Sequence, residues 1–219
     1  MPSPDSAVLF DVDGTLVDST YHHAIAWQRA FDRHDLHLPL WGIHRTVGMG
    51  GDKLVGEVAG DDVEQRLGEA LRTAWKEEYA ELQAEVLPLP GAADLVRSLV
   101  EQGYAVALAS SGEPEFADAA IEALGIRDQV TVLRTSADVD GSKPEPDLVE
   151  VTLEALGRPR AVFVGDTPYD VTSARRGGLS CLTLRSGGYA ESELTEAGAA
   201  LVVDVPRDLI GLDLSPHLS

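Results

Sequence analysis

At 219 residues the chain is long enough to bury a substantial core, as one domain or as a domain carrying an insertion. Its 44% hydrophobic and 25% charged composition is that of a soluble globular protein. No apolar run approaches the roughly 20 residues that span a bilayer, so no membrane partner is expected. A net charge of −20 excludes a nucleic-acid partner, which needs a clustered positive face, and requires any anionic substrate to be met by cations built into its own site.

The start of the chain, Met1 to Phe10, has no basic region ahead of a long apolar stretch, so the expected location is cytoplasmic. Ala7-Val8-Leu9-Phe10 is an apolar run of the length and type of a buried strand. For some 70 residues after it, from Ser19 to about Leu87, helical spacing replaces β-patterning. Apolar positions such as Ala26, Ala30 and Phe31, then Leu67, Leu71 and Trp75, recur at three to four residues. Pro88-Leu89-Pro90-Gly91 ends this block.

Strands and helices then alternate closely. Val106 to Ala109, Val130 to Leu133, Ala161 to Val164 and Cys181 to Leu184 are short apolar runs. Amphipathic stretches lie near 92–102, 114–124, 145–156 and 168–176, each followed by a glycine, Gly103, Gly125, Gly157 and Gly177, suited to the left-handed residue that closes many helices. Alternation of this kind implies right-handed crossovers and a doubly wound parallel sheet, a Rossmann-like α/β core. The wholly helical block between its first two strands is an insertion. The expected division is a core of residues 1–16 and 88–219 and a helical domain of residues 17–87. The lone cysteine, Cys181, falls in a buried strand and reads as a small apolar side chain.

Open parallel sheets bind ligands at the carboxyl ends of their strands. After the first strand comes Asp11-Val12-Asp13-Gly14-Thr15, and after the second Ser110-Ser111-Gly112. Ser142-Lys143-Pro144 follows the third by a loop, and Gly165-Asp166-Thr167-Pro168-Tyr169-Asp170 ends the fourth. Taken singly, each segment has an ordinary reading: a turn or calcium-loop fragment, a helix cap, a solvated lysine. Together and in order they make one chemistry. Asp11 and Asp166 are hard oxygen ligands suited to Mg²⁺, and a carboxylate can attack phosphorus to form an aspartyl phosphate. A second aspartate two residues on, Asp13, can protonate the leaving oxygen and then activate water. Lys143 and Ser110 can hold phosphoryl oxygens, helped by backbone N–H groups around Val12 and Ser111.

In these four segments the chain resembles the haloacid dehalogenase superfamily of aspartate-nucleophile phosphotransferases. The resemblance implies Asp11 as nucleophile, Asp13 as general acid and base, and Ser110 and Lys143 as stabilisers of the phosphoryl group. It places Ser111 and Gly112 beside the substrate. It also implies a Mg²⁺ ion held by the Asp11 side chain, the Asp13 backbone carbonyl and Asp166, with Asp170 a further ligand or a supporting acid. The helical insertion resembles the superfamily's cap. Asp13 argues against dehalogenating and phosphonate-cleaving members, which lack it.

Ser19 to Trp27 looks like the hinge and first cap helix of β-phosphoglucomutase-like members, with His23 and Trp27 at positions those members use near the site. Val47 to Lys53, with Gly48 against the substrate, resembles their specificity loop. Aligned on Gly48, sugar mutases carry an arginine where this chain has Gly51; Lys53, Arg45 and Lys76 are the candidates to replace it. The expected function is a Mg²⁺-dependent phosphatase acting on a small phosphorylated metabolite, as a monomer or homodimer; the alternative is a sugar phosphomutase.

Overall fold

The computed structural model describes residues 6–157 and 160–219; the first five residues of the expected core segment 1–16 lie outside the described residues. β1 (Ser6–Phe10), β2 (Ala105–Ala109), β3 (Val130–Arg134), β4 (Arg160–Gly165), β5 (Ser180–Leu184) and β6 (Leu201–Val203) form one sheet in the order β3-β2-β1-β4-β5-β6. Every pairing is parallel, and β1 sits between β2 and β4.

The apolar runs are strands because both faces of the sheet are covered. Alternate residues of β1 enter different cores. Val8 and Phe10 pack with Leu95, Val96 and Leu99 of α5 (Ala92–Glu101) and with Ile121 of α6 (Pro114–Leu124). Ala7 and Leu9 pack with Leu148 and Val149 of α7 (Asp147–Leu156) and with Val171 and Ala174 of α8 (Pro168–Arg176). The last helix, α9 (Glu191–Ala197), leads into β6. That strand was not expected: Leu201-Val202-Val203 is three residues long and only half-buried, too little for a periodic signal.

Gly103, Gly125 and Gly157 have the expected positive φ. Gly177 does not. Its φ is −78°, and the left-handed residue is Gly178, with φ +81°. Packing gives Gly177 a different reason: a β-carbon there would lie 2.7 Å from Val149 Cγ1 on the neighbouring α7.

Between β1 and β2 the chain forms α1 (Thr20–Asp32), α2 (Leu40–His44), α3 (Gly51–Ala59) and α4 (Asp61–Leu82). These share a separate hydrophobic cluster, including Trp27, Phe31, Ile43, Leu54, Leu71 and Trp75, to which the core lends Phe116 of α6. Where the chain leaves and re-enters the sheet, the two passing segments bond to each other. Asp18 donates its amide to Leu87 O at 2.8 Å, and Leu89 donates to Leu16 O at 2.9 Å. No described helix is long and apolar enough to cross a membrane.

Leu71 is fully buried at the centre of the helical cluster. Leu71→Ala removes buried methyl groups and leaves a cavity, so it is expected to lower unfolding free energy by about 2–5 kcal/mol, read as a lower denaturant midpoint at unchanged slope.

Candidate active site

The order of strands reverses between β1 and β4, and loops that leave their carboxyl ends part there. Asp11 follows β1 directly and is fixed by its amide, which donates to Val164 O on β4 at 2.9 Å. Asp166 follows β4. Lys143, from the loop between β3 and α7, reaches the same point: its Nζ lies 2.5 Å from Asp11 Oδ1 and 2.8 Å from Asp170 Oδ1. The lysine is 1% exposed.

Asp170 is doubly engaged. Besides Lys143, its Oδ2 accepts from the amides of Asp166 and Thr167 and from the Thr167 hydroxyl, at 3.1, 3.0 and 2.7 Å. This closes a capping box at the start of α8, where Thr167 is the N-cap. Asp166 accepts from Thr15 Oγ1 at 2.9 Å. Gly14, with φ +74°, turns the first loop under Asp166; a β-carbon there would fall 2.1 Å from Asp166 Oδ2.

The charges at this point do not balance by themselves. Oxygens of Asp11, Asp166 and Asp170, all three buried, lie within 4.8 Å of one another around a single lysine. Burial, opposed by Lys143 and reinforced by Asp170 and Asp13, raises Asp11 to about 7. Burial and the neighbouring Asp170 and Asp11 push Asp166 well above the ordinary carboxylate range. Lys143 is pushed up: burial alone would lower it, but Asp11 and Asp170 outweigh that. Three buried carboxylates against one ammonium, all with hard oxygen donors, fit a dication. Asp11 and Asp166 have the capacity to hold it, since Asp170 is committed to Lys143 and to the α8 amides.

Asp13 belongs to the helical side as much as to the sheet. Its Oδ1 accepts from Ser19 Oγ at 2.6 Å and stands 2.9 Å from His23 Nε2 of α1. Burial would raise Asp13, but His23 and Ser19 prevail and its carboxyl is held below the ordinary value. His23 is in turn clamped flat against Tyr79, ring centroids 3.9 Å apart.

These groups open onto a cavity of about 390 Å³. Asp11, Asp13, Ser111, Gly112 and Asp166 line it from the strand ends, and His23 and Gly48 from the helical block. Ser110 is close by but not on the wall. Its hydroxyl accepts from the Gly112 amide at 3.0 Å and so shapes the loop. The next residue, Ser111, lines the cavity, and its Oγ is buried and without a partner among the described residues.

None of the three cations named for the distal end is free. Lys53 donates to Ser142 O at 2.9 Å and pairs with Glu145, Arg45 pairs with Glu193, and Lys76 pairs with Glu113 and Glu115. The cavity carries a different one, Arg72 of α4, together with Trp75. Spacing of Leu71 and Trp75 marked this helix as amphipathic, but nothing in the sequence singled out Arg72.

Comparison with known proteins gives one family. A model described as haloacid dehalogenase-like hydrolase matches residues 6–178. A validoxylamine A 7'-phosphate phosphatase from Streptomyces hygroscopicus is 29% identical over 88% of this chain and 91% of its own length. A phosphoglycolate phosphatase from Pseudomonas putida is 28% identical over 93% and 78%. Among solved structures, a hydrolase from Pseudomonas syringae superposes with a TM-score of 0.88 at 33% identity, covering 94% of this chain and 96% of that one.

Lys143→Met leaves Asp11 and Asp170 buried without their cation and is expected to cost about 3–5 kcal/mol at pH 8. The cost shrinks in acid. Asp11, raised in the fold from 3.8 to about 7 even with Lys143 present, keeps a proton that the unfolded chain releases. Stability of the variant therefore falls as pH rises through that window, which denaturation at pH 5 and pH 8 in metal-free buffer checks.

Proposed function

The chain belongs to the haloacid dehalogenase-like hydrolases and is a phosphatase, and on that premise we propose that it hydrolyses a small phosphorylated metabolite through an aspartyl phosphate on Asp11, with Mg²⁺ as cofactor. The observation that carries the proposal is the floor of the cavity, where Asp11 meets both the Lys143 ammonium and the uncompensated Asp166.

In the proposed cycle the ester phosphate lies over Asp11, its oxygens held by Ser111 Oγ and the amides of the 110–112 loop. Asp11 attacks phosphorus as the bond to the leaving alcohol breaks, and Asp13 gives that alcohol its proton. Asp13 then takes a proton from water, which attacks phosphorus, releases phosphate and restores the Asp11 carboxylate. Without ester, His23 and Ser19 hold Asp13 in the ionised form that the second half requires. For the first half, the negative charge of a bound ester raises Asp13 again.

The Asp11 and Asp166 carboxylates and the Asp13 carbonyl are the groups proposed to hold Mg²⁺, which when bound neutralises charge on the transferring phosphoryl group. Asp170 holds Lys143 in place and anchors α8. Residues 17–87 act as a cap over the core of residues 88–219 and the first strand. That block supplies Ser19 and His23 to Asp13, so its seating and the proton carrier's state are linked.

Asp11→Asn is expected to lower phosphate release from p-nitrophenyl phosphate in Mg²⁺ by roughly 10³-fold or more; sustained release would sink the nucleophile assignment. Metal removal has a second readout. Mg²⁺ must displace the proton that Asp11 carries below about pH 7. Addition of Mg²⁺ after chelation is therefore expected to raise the melting temperature clearly at pH 8 and little at pH 5.5. Equal shifts at the two values would contradict the assigned ligands.

A further inference from the structure

The wall supplied by the helical block carries polar groups that the hydrolytic steps leave unused. Arg72 and Trp75, three residues apart on α4, share one face of that helix, and both line the cavity. Arg72 is pinned through one nitrogen. Its Nη1 donates to Gly51 O at 3.0 Å and to the two Glu64 oxygens at 2.9 and 3.0 Å. Among the described residues its Nε and Nη2 have no partner. Trp75 is 9% exposed, and its indole N–H likewise has none. The ring is held firmly, stacked on Trp27 at 5.4 Å and edge-on to Phe116 at 5.9 Å. Two residues of the cavity wall thus carry donors without partners among the described residues, one of them a rigidly held indole N–H.

Gly51 makes room for them. A β-carbon there would lie 3.3 Å from Arg72 Cγ and Cδ and 3.3 Å from Trp27 Cζ2, so the Arg72 stem and the Trp27 ring occupy the space of a side chain at 51. The charge on the wall is lopsided as well. It carries the carboxylates of Asp11, Asp13, Asp52, Glu113, Asp140 and Asp166, and among its described residues Arg72 is the only arginine or lysine. Glu113 is paired with Lys76 outside.

We propose that Arg72 and Trp75 form a second anion-binding subsite that holds a carboxylate or phosphate on the leaving-group end of the substrate. The enzyme thereby selects phosphomonoesters that bear another acidic group. Arg72 offers planar, charged donors suited to either oxyanion, and Trp75 adds one directed N–H. A neutral tail would leave both donors without acceptors, which is how a hydrogen-bonding site rejects analogues that lack its partner.

The inference rests on the phosphatase reading, and the test separates the two. Four three-carbon alkyl monophosphates are compared, ending in methyl, hydroxyl, carboxylate or a second phosphate, with p-nitrophenyl phosphate alongside. The wild-type protein is expected to favour one of the acidic tails over the methyl tail by about tenfold or more in kcat/KM. The better of the two acidic arms identifies the oxyanion. Arg72→Gln is expected to bring that ratio near one, Arg72→Lys to restore part of it, and Trp75→Phe to reduce it several-fold.

A purely structural Arg72 would weaken all four esters alike and leave the ratio intact, which would overturn the subsite; so would a preference for the hydroxyl tail. If no ester, p-nitrophenyl phosphate included, is hydrolysed in Mg²⁺, the phosphatase reading fails. Calorimetric titration of the same esters then decides the subsite: weaker binding of the acidic tails to Arg72→Gln supports it, and equal binding overturns it.

Discussion

Everything at the catalytic end of the sheet answers to one buried lysine. Lys143 has almost no access to water, and its ammonium is tolerable only because Asp11 and Asp170 stand on either side of it. Those two carboxylates are tolerable only because Lys143 is there. Asp170 is further held by the first amides of α8, so the helix start, the lysine and the first strand end are locked in one chain of charge-assisted contacts. Asp166 is the member left over. With no cation of its own, it is the carboxylate that the proposed Mg²⁺ would neutralise.

Much of this was legible in the sequence, for a physical reason. Strands buried on both faces read as continuous apolar runs, and loops at their carboxyl ends converge at the reversal of strand order, so the sequence alone brings Asp11, Lys143 and Asp166 together. What escaped was local direction. Ser110 and Ser111 are the same residue type one step apart, and the sequence alone does not say that Ser110 Oγ accepts from the Gly112 amide while Ser111 lines the cavity. β6 escaped because three half-buried residues carry no period. Arg72 escaped because an arginine on an amphipathic helix is ordinarily solvated; its contact with Gly51, 21 residues earlier in the chain, joins two helices whose packing no local pattern encodes.

The cavity divides its tasks between two layers. The strand ends hold the groups proposed to act on phosphorus, fixed by a parallel ladder and by burial. The helical block lines the opposite side of the cavity, from α1, α3 and α4. His23 and Ser19 cross that division, since they come from the helical side yet set the state of Asp13. Against the overall negative charge of the chain the cavity region sets Lys143, paired with Asp11 and Asp170, and Arg72, paired with Glu64.

The paired crossings at Leu16–Asp18 and Leu87–Leu89 carry an evolutionary consequence. Because the helical block departs and returns at a single point, where the outgoing and incoming segments bond to each other, the strand pairing does not run through it, and Ser19 and His23 are what a replacement would have to supply to Asp13. A longer, shorter or wholly different cover can be spliced in without disturbing a strand register or moving Asp11. Reaction type can then be inherited unchanged while substrate preference diverges, each under its own selection, along one continuous polypeptide.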